Sequence, residues 1–280
     1  MTHLELFHGL VSAGMIMRYG NKPCRKAVLR VLWEKKHIMD AGFVDYYLVA
    51  FWIFRYYAAS AEVNVWAKGA MPSSIVCYCL GLTEVDPIKY GLHSARFVND
   101  ELPKFQFDIE ASRFDEFKKG AEELPQTNAG DYDIPVIRKC LFQDLQPMEY
   151  LSRKNERPVP KIIDDEMARY ALYFTETMDM YEDYDRLPST FNGIIYQEQM
   201  MDILRHTFHV SGIKANQIRL AIQRRETERV EAYKKELFAN PKDITTSEAE
   251  TAWQRLTSNP HAFLKAHAVS RVLAQYHYTF

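Results

Sequence analysis

A dominant charge is the first thing this chain lacks. Its 280 residues carry 35 Lys and Arg against 37 Asp and Glu, a net charge of −2. No global field draws a polyanion, so any nucleic-acid contact must come from a local basic patch. Cysteine is scarce as well, with Cys24, Cys77, Cys79 and Cys140 only. Cys77 and Cys79 sit in an apolar run without a paired Cys/His cluster, which argues against zinc and for buried, reduced thiols. No apolar run is long enough to span a bilayer. The best, Val44–Tyr57, is interrupted by Asp45 and Arg55. No signal peptide, internal repeat or low-complexity tract is visible, and a cytoplasmic location with no membrane partner is expected.

What is present is a rich apolar fraction, 47%, with 13% aromatic residues. Residues 24–40 place Val28, Leu29, Leu32 and Trp33 at helical spacing, and Gly42 ends that helix. Residues 43–58 are apolar nearly all round and read as a buried helix. VNVWAKGAMPSS passes from strand to loop. Ser73 or Ser74 caps a helix in SIVCYCLGL, closed by Gly81. Residues 112–124 read as an exposed helix, 126–132 as a loop, 154–161 as a Pro/charge connector and 164–184 as an acidic helix. From Gly193 the chain is strongly helical. Ser211-Gly212 and Asn240-Pro241 are breaks, and Thr245-x-x-Glu248 is a capping box. A last helix is expected to begin near Asn259-Pro260.

One hexamer stands out. Phe105-Gln106-Phe107-Asp108-Ile109-Glu110 alternates apolar with polar. As a strand, one face would bury Phe105, Phe107 and Ile109. The other would present Gln106, Asp108 and Glu110, a carboxylate pair of the kind that holds a metal. Alternation alone fits a half-buried strand with a solvated face equally well.

Three ordered segments together carry a family resemblance. SSIVCYCLGLTEVDPIKYGLHSARFVN followed by FQFDIE resembles the palm of the bacterial C-family replicative DNA polymerases, the α subunit of DNA polymerase III. There, a GRGS-type loop and helix precede a Pro-Asp-Phe-Asp-hydrophobic-Asp strand. GIIYQEQMMDILRHTFHVSGIKANQIRLAIQRR is similar to the family's fingers entry, with Tyr196-Gln197-Glu198-Gln199 intact. AFLKAHAVSRVLAQY resembles a third motif and keeps Phe263, Lys265 and His267. The resemblance implies an α+β, mostly helical fold. A nucleotidyltransferase-like palm region would occupy 1–160, and a helical fingers-like region 161–280. It implies DNA and deoxynucleoside triphosphate as partners, with other replication proteins beside them. Two-metal phosphoryl transfer with Mg²⁺ would run on Asp108, Glu110 and Asp144, with Asp108 and Glu110 as metal ligands. Lys68, Gly69, Ser74, Tyr196, Arg219, Arg224, Arg225, Lys265 and His267 would bind nucleotide or phosphate.

The departures fall on the chemistry. Gln106 stands where the family has its first palm aspartate, and an amide oxygen brings no charge to a metal. The glycine loop becomes Ala67-Lys68-Gly69-Ala70-Met71-Pro72-Ser73-Ser74, in which Pro72 removes a backbone donor. Leu220 and Gln223 replace an Arg and a Gly. Polymerase ancestry with impaired catalysis is therefore expected. An active transferase, or a non-catalytic helical protein that binds a replication partner, is the alternative.

Overall fold

The computed structural model describes residues 2–123, 145–148, 194, 196–239, 244–258 and 262–279. The chain divides into two compact units, Met1–Ala168 with Ala266–Phe280, and Arg169–Lys265. The 126–132 loop, the 154–161 connector, the 164–184 helix, the 160/161 boundary and Asp144 lie outside the described residues.

The first unit opens with α1 (His3–Tyr19) and α2 (Arg25–Asp40). Thr2 and Glu5 cap α1 reciprocally, each side chain taking the other's backbone N–H at 3.2 and 2.7 Å. On α2 the buried positions are Ala27, Val31, Glu34 and Ile38, one stripe at helical spacing. The apolar stretch after Gly42 is helical as its composition predicts, but not uniformly so. α3 (Val44–Ala50) runs into a π-helical segment, Phe51–Tyr57, and a final turn, Ala58–Ser60. Ser74 caps the short α4 (Ile75–Cys79) by accepting the Cys77 N–H at 3.1 Å. α5 spans Phe114–Glu123.

Among the described residues three short strands make the sheet: β1 (Val65–Ala67), β2 (Phe107–Glu110) and β3 (Gln146–Met148), in the order β1-β2-β3. β1 and β2 are antiparallel with Trp66 opposite Asp108. β2 and β3 are parallel with Asp108 opposite Gln146. The strand covers Phe107–Glu110 of the hexamer, and Asp108 is buried along with the apolar face. Phe105, Phe107 and Ile109 are buried, and Phe107 stacks on Phe54 with centroids 3.9 Å apart. Tyr47 meets Phe105 edge-on at 5.1 Å, so the helices and the strand share one aromatic core.

The second unit is helical among its described residues: α6 (Gln197–Thr207), α7 (Gly212–Gln223), α8 (Thr227–Ala239) and α9 (Thr246–Ser258). Ser211 caps α7, and Thr245 and Glu248 form the expected box on α9. The last helix, α10, starts at Lys265, later than the Asn259-Pro260 signal. The backbone at Phe263 is committed elsewhere: it bridges Tyr196, and its carbonyl accepts the Gln197 N–H at 2.8 Å. A residue in that bridge cannot also enter a helix.

Candidate functional site

The antiparallel pairing of β1 and β2 sets the site. The Lys68 N–H donates to the Gln106 carbonyl at 2.9 Å, which extends the ladder by one residue and brings the 67–74 loop over the polar face of β2. Asp108 occupies that face but is not solvated, at 6% exposed. Lys68 Nζ lies 2.5 Å from Asp108 Oδ1, and the two side chains are 13% and 8% exposed. This is a charge-assisted bond in low dielectric, the kind whose loss leaves an expensive buried charge.

Gly69 follows with φ +65°, a conformation that favours glycine. A Cβ there would fall 1.9 Å from Gln106 Oε1. The Gln106 amide is thus packed against the loop glycine. The Gly69 N–H donates to His267 Nδ1 at 3.2 Å, which puts the proton of a neutral ring on Nε2. On the same side, Trp66 Nε1 donates to the Ser270 carbonyl at 2.9 Å and lies 3.0 Å from its hydroxyl, which bonds the Ala67 carbonyl. Residues 66–69 are fastened to α10 within the first unit.

Glu110 is held separately. Its Oε2 accepts from Asn64 Nδ2 at 3.0 Å and its Oε1 from Ser112 Oγ at 2.7 Å. Ser74, expected near phosphate, is wholly buried: it caps α4 and donates to Glu34 Oε2 at 2.7 Å. Two divalent ions need several anionic oxygens converging on them. Among the described residues no three His, Cys, Asp or Glu side chains gather. Asp108 shares an oxygen with Lys68, and both Glu110 oxygens are engaged. Among the described residues, which do not include Asp144, the donor set does not fit a metal pair.

In the second unit, Arg219 is 1% exposed. It donates to Asn216 Oδ1 at 3.0 and 3.1 Å, to Gln197 Oε1 at 3.0 Å and to Gln223 Oε1 at 2.5 Å. The Tyr196 N–H is taken by Gln199 Oε1 at 2.8 Å. Gln197 Nε2 donates to the Ala262 carbonyl at 2.9 Å, and the Lys265 N–H donates to Glu198 Oε2 at 3.0 Å. Tyr196-Gln197-Glu198-Gln199 therefore caps α6 and ties down residues 262–265. Arg224 is exposed, 3.8 Å from Glu226. Arg225 ends α7 at φ +56°, a position that favours glycine.

Sequence reasoning missed Glu34. It is fully buried and accepts from Arg30 Nε at 3.1 Å, the Val76 N–H at 3.1 Å, and the Ser74 and Ser94 hydroxyls. The signal was available: Glu34 is the one acid in the Ala27/Val31/Glu34/Ile38 stripe. Ser270 carried no such mark.

Comparison with known proteins agrees with this architecture. The family described as bacterial DNA polymerase III alpha NTPase domain matches residues 5–123, and that of the alpha subunit finger domain matches 148–244. An error-prone DNA polymerase of Anaeromyxobacter sp. (strain K) is 30% identical over 119 residues, 41% of this chain and 10% of the relative. That of Cutibacterium acnes is 35% identical over 118 residues, 41% of this chain and 10% of the relative. A DNA polymerase III subunit alpha of Staphylococcus epidermidis is 39% identical over 88 residues, 30% of this chain and 8% of the relative. The chain spans about a tenth of the length of these curated relatives.

Proposed function

The chain is a partial member of the bacterial C-family DNA polymerases, with NTPase-domain and finger-domain segments, and we propose that its palm does not run two-metal nucleotide addition. The observation that carries this reading is the buried Lys68–Asp108 pair beside Gln106. In phosphoryl transfer, metal ions bridge the phosphate oxygens and neutralise developing charge. A lysine on Asp108 supplies one positive charge with no open coordination site. Gln106, packed on Gly69, adds no charge. The Gly69 N–H, a donor suited to a phosphate oxygen, is already given to His267.

The role that fits is a palm-and-fingers scaffold that binds DNA or nucleotide weakly, with no Mg²⁺ retained on Asp108 and Glu110. The test is extension of a labelled primer by the purified chain with Mg²⁺ and all four deoxynucleoside triphosphates. No extension is expected. Extension by the unaltered chain that Asp108→Asn abolishes would overturn the proposal.

A further inference from the structure

A second site lies away from the palm face, in the first unit, between α1 and the π-helical segment Phe51–Tyr57. Such segments are rare and concentrate at functional sites, because the wider turn re-aims side chains at some cost in hydrogen-bond geometry. Here the inner side is anchored by Ile53 and by Phe54 on Phe107. The outer side sends Arg55 and Tyr56 into a groove of about 710 Å³ that α1 closes with Leu10 and Met17. Met17 is 82% exposed and Tyr56 59%, so two large apolar side chains stand over open space. An adjoining cavity of about 250 Å³ shares Arg55 and Gly81 with the groove.

The charge in this groove is unevenly spent. Arg18 is committed: it grips Glu84 at 2.6 and 2.8 Å and stacks over Tyr78 at 4.5 Å. Arg55 has no hydrogen-bond or ion-pair partner among the described residues. Its guanidinium has a seat nonetheless. Gly81 stands at φ +69°, and a Cβ there would lie 2.8 Å from Arg55 Nε. The glycine thus clears room for the arginine to lie over the end of α4.

We infer that this groove binds a small amphipathic anion. A carboxylate or phosphate head would pair with Arg55, and an aromatic or aliphatic body would lie on Leu10, Met17 and Tyr56. The volume is that of small-molecule sites, which are mostly apolar with a few placed polar groups. The guanidinium fork suits either head. The site is independent of the palm reading.

Calorimetric titration of the full chain tests it, with 1-naphthyl phosphate and 1-naphthaleneacetate as probes and 1-naphthylmethylammonium as the opposite-charge control. Saturable binding of an anion at one site is expected, with the cation at least tenfold weaker. Anion binding should fall at least tenfold in Arg55→Glu and in Ala13→Trp, which fills the groove without touching its charge. Binding of one anion and not the other supports the site and fixes its head group. Equal affinity for the cation, undiminished binding in both variants, or no saturation at millimolar probe would overturn the proposal.

Discussion

Glu34 and Asp108 are two buried acids in one unit, and they make opposite impressions in the sequence. Glu34 sits in the apolar stripe of α2, far from any motif. Asp108 sits in the strand whose sequence resembles the metal-binding strand of a polymerase palm. Their surroundings are nonetheless alike. Glu34 is closed by Arg30, two serine hydroxyls and a backbone N–H, and Asp108 is held by Lys68. A carboxylate's place in a motif does not decide its chemistry. The partner that neutralises it does, and here that partner belongs to the chain itself.

The comparison breaks most readily at Glu34. Glu34→Ala takes the acceptor from Arg30 Nε, two hydroxyls and an N–H, and should cost about 3–5 kcal/mol in urea unfolding. A loss below about 1 kcal/mol would show that the network is ornamental. Lys68→Met should cost about 2–4 kcal/mol by taking the ammonium from a buried carboxylate, and Lys68→Met/Asp108→Leu should recover to within about 1 kcal/mol of the parent. If the single substitution is neutral, Asp108 is not held as Glu34 is. Gly69→Ala should cost about 2 kcal/mol from its backbone angle and the Gln106 amide. Adding Gln106→Ala removes the clash and leaves the backbone cost, so recovery should be partial.

Two weaker effects sharpen the contrast. Burial pushes the Cys79 thiol up to about 12 and raises that of Cys77. Peptide mapping after alkylation at pH 8 should therefore find Cys24 labelled, with Cys77 and Cys79 protected. In Glu34→Ala, which frees the α4 cap, both should become reactive. Glu248 gives the exposed limit, an acid held below its usual range by the Thr245 N–H and hydroxyl. A lowered carboxyl stabilises above its unfolded pKa and loses that contribution as pH falls through the folded value. Glu248→Gln should thus give the smallest shift in melting temperature, present at pH 7 and gone at pH 3.

Much of this was legible beforehand, for physical reasons. Period-2 alternation placed Phe105, Phe107 and Ile109 in the core. Ser74, Gly81 and the Thr245/Glu248 pair marked helix ends through local hydrogen bonding. What escaped depends on tertiary neighbours. The π-helical turn at Phe51–Tyr57, which stacks Phe54 on Phe107, is marked by no local pattern. Ser270 reaches Trp66 and Ala67 across 204 and 203 positions. Lys68 and Asp108 each belong to a recognisable motif, but their pairing depends on the β1–β2 register. Tyr196-Gln197-Glu198-Gln199 is a contiguous motif, while its bonds to residues 262–265 leave no mark in the spacing.

Manganese binding tests the central claim most directly. Water-proton relaxation of Mn²⁺ should be the same in the parent chain and in Asp108→Asn, because Lys68 already holds that carboxylate. Binding in the parent that Asp108→Asn removes would contradict it and return Asp108 to the role its position in the strand suggests.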